Sequence, residues 1–551
     1  MRTPALLIAT TMLTALALPA HADGREARFD QPHEGWSSSV LRTGTPQRVG
    51  LDPAPLDAAL AQIERYTVPD ATGHPLFAGA VTLFAHDGVV VTQQPTGWAV
   101  RYADAAGTEL PEQQRVPMTP DTIFDLASIS KLFTSVVVMR QHELGRFDLD
   151  DPVARHLPEF AVNGKASITI RQLLTHTSGL VAWLPLWSQY PDVPSRIKAV
   201  VETTPSSAPG TRYLYSDLNL ITLGLLAEKW SGKKLDELVR DDITRPLGLV
   251  DTGYNPPAAK LDRVAATEYQ AGRGIIRGTV HDENAWSLGG VAGHAGVFST
   301  ARELAVLGQA ILNGGAYAGA RILREDTVEL MLTNFNQAFP GNAHGLGFEL
   351  DQDWYMGALT SPRAAGHTGY TGTTLVLDPL SRSIAILLTN RVHPSRNWGS
   401  INPARRAAAN GLAQALAVRP RHGGTAWTPE SNGGTLTTRD LPRRGDGQRL
   451  SFWAFVDLAA ADRVVVEATD DGTAWREVGV LSGYGERRWR KVELDTGSAA
   501  KLRWRYVRGT GYGGRGVYVD AIRVMDGRGV ALDGEREPAG LHPEGWRVAD
   551  R

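Results

Sequence analysis

The sequence of 551 residues contains no cysteine. This absence excludes a disulfide framework, a thiol nucleophile, an iron–sulfur cluster and a thiolate zinc site. The chain also has little net charge, with 57 Lys and Arg against 59 Asp and Glu, so it lacks an electrostatic footprint for nucleic acid or an anionic membrane surface. Hydrophobic residues make up 42% of the chain, too many for a disordered protein. The sequence predicts a globular protein of about two to four folding units.

The N-terminus has the pattern of a secretory signal. Arg2 is followed by a short run of small and apolar residues over 5–18, and an Ala-x-Ala site ends at Ala22. The run is shorter than the roughly 20 residues that a membrane-spanning helix needs. We therefore predict a signal peptide over residues 1–22 and an exported protein, periplasmic or secreted, without an integral membrane segment after cleavage.

Two kinds of secondary-structure pattern divide the rest of the chain. Helical periodicity and β-rich runs alternate up to residue 418, whereas short β-rich runs separated by Gly and Asp turns follow residue 424. The Arg-Pro-Arg-His-Gly-Gly segment between them is typical of a linker. The predicted organisation is an N-terminal extension at 23–44, an α/β domain at 45–418, a linker at 419–424 and a β-sandwich domain at 425–551.

Periodicity and turn signals predict the main elements of both regions. A long helix begins at Ser128 and stops at Gly145, and His86-Asp87-Gly88 is a hairpin turn signal within residues 77–91. Predicted helices cover residues 50–66, 128–144, 170–174, 218–230, 301–312 and 402–417. Further strands are predicted at residues 373–377, 383–388, 463–467 and 501–507.

A Ser-x-x-Lys pattern lies at the front of the long predicted helix at 128–144. Ser128 and Lys131 are three residues apart, so the hydroxyl and the amine share one helical face and can touch. The helix N-terminus offers unpaired N–H groups and a positive dipole end, which favour the negative charge formed when a serine attacks a carbonyl. An N-capping serine followed by a solvated lysine gives the same pattern. However, Lys131 is the first lysine of the chain and lies in a largely apolar stretch.

Two further triplets follow in the order that such a site requires. Tyr215-Ser216-Asp217 precedes a predicted helix, and His367-Thr368-Gly369 precedes a β-rich run. Together with Ser-x-x-Lys they resemble the serine β-lactamase and penicillin-binding-protein superfamily, especially its branch of class C β-lactamases, DD-peptidases and related esterases. The resemblance spans about residues 45–418 and includes runs that look like structural signatures of the branch, at residues 149–153, 173–180 and 289–300.

The resemblance implies a role for each of these residues. Ser128 is expected to be the nucleophile that accepts the acyl group, Lys131 the group that takes its proton, and Tyr215 a second proton relay. The strand residues 367–369 are expected to form the wall against which substrate lies. The N–H groups of Ser128 and Tyr370 are expected to form the oxyanion hole, since a tetrahedral oxyanion needs fixed donors. No metal or organic cofactor is implied.

Two residues differ from the commonest pattern of the branch. Asp217 stands where Asn is frequent, and a carboxylate near Lys131 would keep the ammonium charged and make it a poorer base. We therefore hypothesise that Tyr215 carries more of the proton abstraction, with Lys131 as its electrostatic support. His367 replaces the lysine that typically meets a substrate carboxylate. Because a histidine is mostly neutral at pH 7, carboxylate-bearing β-lactams should be held less strongly, which favours a peptidase or esterase over a β-lactamase.

Other polar and aromatic features have competing interpretations. The His-Asp-Glu-Asn cluster at 281–284 matches no helix-based metal motif, which favours a loop hydrogen-bond network. His176 and Ser130 are interpreted as buried structural residues. The Trp-Leu-Pro-Leu-Trp run at 183–187 fits an acyl-binding pocket and core packing equally well.

The C-terminal region resembles the jelly-roll modules, similar to MAM or galactose-binding-like domains, that are appended to many secreted hydrolases. Such modules commonly bind glycans or proteins and often a structural calcium, so the resemblance implies a glycan or protein ligand here. Most of the tryptophans of this region are interpreted as core residues rather than exposed sugar platforms. Trp453, Trp475, Trp489 and Trp504 are spread among its β-rich runs.

These features together predict an exported serine hydrolase. The expected fold is an α/β (α+β) β-lactamase-type domain, with an antiparallel sheet flanked by helices, followed by an all-β jelly-roll sandwich. Acyl transfer through a Ser128 ester is expected on a D-Ala-D-Ala-type peptide or a small ester, with β-lactam hydrolysis as the alternative. A non-catalytic protein that binds cell wall or glycan is the alternative of another class. The complete set of catalytic residues argues against it, because a binder has no reason to keep them.

Overall fold

The computed structural model describes residues 35–430, 433–442 and 447–550. The predicted signal peptide and the first part of the N-terminal extension, residues 1–34, lie outside the described residues. In the part of the chain that is described, no helix has the length and apolar character needed to cross a membrane.

A mostly antiparallel sheet forms the centre of the first domain. The predicted hairpin is present, with its two strands joined at Asp87 and Gly88. The edge strand Arg42–Thr43 pairs in parallel, and Val116–Pro117 pairs with the long strand outside the main path. In spatial order the strands are Arg42–Thr43, Val89–Val100, Gly79–His86, Ser383–Thr389, Thr373–Asp378, Ala365–Thr368 and Glu349–Leu350.

Helices cover both faces of this sheet. Leu375 packs into a core with the Ser130–Glu143 helix, whereas the next residue, Val376, packs into a second core with the Pro53–Arg65 and Asn402–Ala415 helices. Successive side chains of a strand point to opposite faces, so both sides of the sheet are buried. This double burial explains why the central strands are continuous apolar runs rather than alternating ones. The predicted α/β fold with a flanked antiparallel sheet is confirmed.

The predicted helices are present with small differences at their ends. The helix predicted from Ser128 begins as an α-helix at Ser130, because Ala127–Ile129 forms a separate 3₁₀ turn that carries Ser128. The last one ends at Ala415 rather than residue 417. The α-helices are Pro53–Arg65, Ser130–Glu143, Val153–His156, Ile170–Leu174, Leu186–Gln189, Val193–Glu202, Asp217–Ser231, Leu235–Val239, Arg245–Leu247, Glu283–Ser287, Ala301–Leu312, Glu325–Met331, Asp353–Met356 and Asn402–Ala415.

The C-terminal region consists of two antiparallel sheets that pack around a common core. Phe452 of one sheet and Trp504 of the other meet edge to face, with ring centroids 5.5 Å apart. The first sheet contains Tyr484–Gly497, Gln448–Asp457, Gly516–Asp526, Ala426–Pro429 and Trp546–Ala549, with Gly529–Asp533 beside Gly516–Asp526. The second contains Arg476–Ser482, Arg463–Thr469, Lys501–Val507, Gly434–Thr438 and Leu541–Glu544.

The tryptophans of the β region are less buried than predicted. Trp504 is fully buried, as expected of a core residue. Trp453, Trp475 and Trp489 are only partly buried, so the prediction that most of these rings lie in the core is wrong. Arginine side chains lie over the rings of Trp453 and Trp475, and the indole N–H of Trp489 donates to the carbonyl of Arg419 in the predicted linker. Trp453 and Trp475 therefore cover arginine side chains, and Trp489 lies between the linker and the buried Phe455 ring, 6.0 Å away.

Candidate active site

Ser128 lies on a strained turn immediately before the Ser130–Glu143 helix. The preceding residue, Ala127, has a φ of +46°. This left-handed conformation costs a non-glycine residue about 1–3 kcal/mol. The buried Asp125 carboxylate fixes the turn by accepting hydrogen bonds from the N–H of Ala127 at 2.8 Å and of His281 at 2.6 Å. The turn places the Ser128 side chain in a cavity instead of at the N-cap of the helix.

Lys131 joins three parts of the site from a fully buried position. Its Nζ donates to Ser128 Oγ at 2.9 Å and to the His294 carbonyl at 3.1 Å, and it pairs with Asp217 Oδ1 at 2.9 Å. Burial lowers the pKa of Lys131, but the Asp217 carboxylate and the Tyr215 hydroxyl together raise it by more than burial lowers it. The pKa of Lys131 therefore lies above its ordinary value. Lys131 is therefore charged at neutral pH.

Tyr215 completes the cluster around Ser128. Its ring lies below the Lys131 ammonium, with 4.8 Å between Nζ and the ring centroid. Burial raises the pKa of Tyr215 to about 12, with the Asp217 carboxylate adding to the effect and hydrogen bonding to Lys131 and Ser128 opposing it. The phenol is therefore protonated at neutral pH in the resting site.

His176 supports the segment that carries Tyr215. The two rings lie 4.6 Å apart, and His176 Nδ1 accepts hydrogen bonds from the Ser216 N–H at 3.1 Å and the Asn219 side-chain amide at 3.0 Å. Its proton is therefore on Nε2, and burial lowers the pKa of the ring well below its ordinary value. This buried, neutral histidine holds the Tyr215 backbone in place, as expected for a structural residue.

The strand segment 367–370 forms the opposite wall of the site. Thr371 Oγ1 and Thr373 Oγ1 donate to the carbonyls of Asp125 and Leu126, which ties this segment to the turn before Ser128. A Cβ on Gly369 would lie 2.3 Å from the Leu126 carbonyl oxygen, so only glycine allows this approach.

The expected oxyanion donors lie at this junction. Among the described residues, the N–H groups of Ser128 and Tyr370 donate to no other group of the protein. Both residues line the same cavity. Two fixed backbone donors beside the nucleophile match what the oxyanion on the substrate carbonyl carbon would require, and their role stays a prediction.

His367 is neutral and buried. Its Nδ1 donates to the Thr368 carbonyl at 2.7 Å, which leaves Nε2 as a buried lone pair without a hydrogen-bond partner among the described residues. Burial and then the Lys131 charge lower the pKa of His367 to about 3. The site therefore has no cation at the position where the related enzymes typically have lysine.

A cavity of about 440 Å³ connects these residues and adds groups that the sequence did not reveal. Arg405, on the last helix, donates to the Gly369 carbonyl at 2.7 Å, and burial lowers its pKa to about 10, so it remains charged at neutral pH. Burial raises the pKa of the Glu349 carboxyl to about 7. The cavity is lined by Ser128, Tyr213, Tyr215, Asn342, Glu349, Gln352, Trp354, His367, Thr368, Gly369, Tyr370, Arg391, Ser400, Ile401, Asn402 and Arg405.

The other sequence-predicted features surround the site. His281 pairs with Glu268 at 2.9 Å, and Asp282 caps a short helix and pairs with His294 at 2.9 Å, so the cluster at 281–284 is a hydrogen-bond network. The Oγ of Ser130 accepts the Val297 N–H at 2.9 Å within the core. The two tryptophans of the 183–187 run are each about half exposed, at 47% and 46%, which disfavours core packing for these rings.

Comparison with known proteins fits this geometry. Residues 70–410 match the family model described as Beta-lactamase, and the chain belongs to this family. The protein is a serine hydrolase of the β-lactamase and penicillin-binding-protein type. A protein of Escherichia coli (strain K12) named "Putative D-alanyl-D-alanine carboxypeptidase" is 32% identical over 392 residues, which are 64% of this chain and 86% of that protein.

Two solved structures share the fold of the first domain. A penicillin-binding-protein homologue from Caulobacter crescentus superposes with a TM-score of 0.51 at 23% identity, covering 66% of this chain and 99% of its own. A class C β-lactamase superposes with a TM-score of 0.52 at 18% identity, covering 66% of this chain and 95% of its own. The catalytic fold thus makes up nearly the whole of both neighbours but only two thirds of this protein.

Proposed function

We propose that the protein is a D-alanyl-D-alanine-type carboxypeptidase that forms an acyl-enzyme on Ser128. The observation that carries this proposal is a single cavity lined by Ser128, Tyr215 and Arg405, with the buried Lys131 bonded to Ser128 behind its wall. A peptide ending in D-alanine brings a carbonyl for the serine and a terminal carboxylate for the guanidinium. Because His367 is neutral, Arg405 takes over the electrostatic role expected of a lysine on this wall. The name of the E. coli relative supports the same substrate class.

The chemistry follows from the protonation of the cluster. At neutral pH the Lys131 and Tyr215 pair holds both of its protons, so one of them must leave before the pair can accept the proton of Ser128. Ser128 Oγ then attacks the carbonyl while its proton moves to Tyr215, and the Lys131 charge stabilises the forming tyrosine–serine hydrogen bond. The N–H groups of Ser128 and Tyr370 hold the oxyanion. Tyr215 returns the proton to the leaving amine of D-alanine, and water hydrolyses the Ser128 ester.

A parallel assay tests this proposal. We expect wild type to release D-alanine from a D-Ala-D-Ala peptide, to hydrolyse nitrocefin poorly, and to lose D-alanine release in Ser128→Ala and Lys131→Met. Lys165→Met is a matched control, because Lys165 is also buried and binds the carbonyls of Val162 and Thr203 away from the cavity. It should keep the activity.

The alternatives give different results in the same assay. Nitrocefin hydrolysis with kcat/KM near the diffusional ceiling and no D-alanine release would show a β-lactamase. Hydrolysis of a p-nitrophenyl ester alone would show an esterase. If neither a fluorophosphonate nor a labelled penicillin modifies Ser128 of the wild type, the protein is a binder and the proposal is wrong.

We also propose that the protein is exported, on the strength of the signal pattern in residues 1–22. N-terminal sequencing of the protein from the periplasm or the medium should give a chain that begins at Asp23. An intact Met1 in a cytoplasmic fraction would contradict export. The test is independent of the substrate assay.

A further inference from the structure

A glycine-rich loop of the β region lies against the wall of the active-site cavity. Residues 508–515, Arg-Gly-Thr-Gly-Tyr-Gly-Gly-Arg, connect the strands Lys501–Val507 and Gly516–Asp526. The N–H of Tyr512 donates to Asp353 Oδ2 at 3.2 Å. A Cβ on Gly513 would lie in van der Waals contact with Asp353, 3.6 Å from its Cβ. The backbone of this loop therefore rests directly on the first turn of the Asp353–Met356 helix.

The residue after Asp353 faces the substrate side of the same helix. Trp354 lines the Ser128 cavity, and its indole N–H donates to Gln352 Oε1 at 3.1 Å. Arg406 connects Trp354 to the loop: its Nη1 donates to the Trp354 carbonyl at 2.9 Å, and its guanidinium lies 3.9 Å from the centroid of the Tyr512 ring. Tyr512 thus contacts Asp353 directly and Trp354 through Arg406.

A buried arginine of the β region holds the other end of this segment. Arg487 is 1% exposed and donates to Asp378 of the central sheet at 2.7 Å and to Asp457 of its own region at 3.0 Å. It also donates to the carbonyls of Leu359 at 3.2 Å and Thr360 at 3.0 Å. Residues 353–360 are therefore fixed at both ends by the β region.

The solved neighbours show that the catalytic fold does not need such a support. This fold makes up 99% and 95% of the chains of the two structures described above. The contacts between the β region and residues 353–360 are therefore an addition in this chain, and they converge on a segment that contributes a side chain to the cavity.

We propose that the loop 508–515 positions Trp354, and that Trp354 provides a flat apolar surface for the peptide part of the substrate. In this arrangement the β region takes part in substrate binding by the catalytic domain. The inference rests on the proposed function, because it takes the cavity beside Ser128 as the substrate site. Tyr512 acts through Arg406 and Asp353 and is a positioning residue.

Steady-state kinetics of the full-length protein with the D-Ala-D-Ala peptide test this inference. Tyr512→Ala should raise KM about three- to tenfold, the value of one cation–π contact, and leave kcat within about twofold. Tyr512→Phe keeps the ring and the backbone N–H, so it should restore the wild-type KM. Trp354→Ala should raise KM to the same extent or more, and adding Tyr512→Ala to it should have no further effect.

Trp475→Ala is the matched control, because it removes another close arginine–aromatic contact, 4.0 Å between Arg503 and the Trp475 ring, within the β region. An equal rise in KM for Trp475→Ala and Tyr512→Ala would overturn the inference, since the effect would then be general loosening. An unchanged KM in Tyr512→Ala, with Ser128 still labelled by a fluorophosphonate, would also overturn it and leave the proposed function intact. Failure to label Ser128 in the wild type would instead refute the proposed function.

Discussion

Asp217 controls the protonation of the catalytic cluster, and replacing it with asparagine gives the sharpest test of the proposed chemistry. The carboxylate lies 2.9 Å from Lys131 Nζ and raises the pKa of both Lys131 and Tyr215. The pair must lose one proton before Ser128 can attack. Asp217→Asn keeps an oxygen that can accept the Lys131 hydrogen bond but removes the negative charge. The acid limb of the pH profile, where kcat/KM rises with pH as the pair loses its proton, should therefore move to lower pH.

The size of this movement follows from the contact. An opposite charge within about 4–6 Å of a titrating group shifts its pKa by about 1–3 units. Here the Lys131 side chain is 1% exposed and that of Asp217 18%, so solvent screens the pair only weakly. We expect the limb to move by about 1–3 pH units, equivalent to about 1.4–4 kcal/mol. Below the wild-type limb, the variant should be about tenfold faster for each unit of movement.

The measurement is kcat/KM for D-alanine release between pH 5 and 10 in the wild type and in Asp217→Asn. Asp241→Asn is the control, because Asp241 also pairs with a lysine, Lys233, at 2.7 Å but lies outside the cavity. Its profile should match the wild type. Because the pKa of Tyr215 is about 12 in the wild type, this range lies below the wild-type limb. An Asp217→Asn variant that is no faster than the wild type anywhere in the range would refute the electrostatic reasoning.

Three further predictions concern the site and the fold. Tyr215→Phe should slow acylation of Ser128 about 10²- to 10⁴-fold in stopped-flow kinetics; near-normal acylation there, together with none in Lys131→Ala, would make Lys131 the base. Glu349→Gln should remove from the pH profile of KM an ionisation with a pKa of about 7; an unchanged profile would show that this carboxyl does not affect substrate binding. Stability should fall as pH decreases from about 6.5 toward 4, because burial lowers the pKa of His393 to about 4 and the unfolded chain then binds a proton that the folded chain does not. His393 should lower the free energy of unfolding by about 2 kcal/mol at pH 5 relative to pH 7, as measured by chemical denaturation at both pH values. An equal pH dependence of the unfolding free energy in His393→Gln would contradict this prediction.

Elements with strong local signals could be predicted from the sequence. The helix over 301–312 has its predicted bounds because Thr300 caps it and accepts the Glu303 N–H. The last helix was predicted too long, because Leu416 leaves the helical conformation to form a β-bridge with Leu51. A tertiary contact of this kind overrides local periodicity and has no local signal.

The same distinction applies to the site. Contact between Ser128 and Lys131 follows from a spacing of three residues, which local geometry fixes. Glu349, Trp354 and Arg405 reach the cavity from other elements and belong to no motif, so no pattern in the sequence reveals them. The sequence predicts that Asp217 keeps Lys131 charged. The low pKa of His367 depends on burial, which only the fold determines.

The ion pair between the two regions has a consequence for how such a protein can evolve or be re-engineered. Asp378 is fully buried and belongs to the central sheet, yet its cationic partner, Arg487, is supplied by the other region. A chain cut at the linker, or joined there to a different β-sandwich, would leave this carboxylate without its counter-charge. Exchange of the C-terminal region by recombination therefore requires a replacement that brings its own arginine to this position. We therefore expect the two regions to be inherited together, although each has its own hydrophobic core.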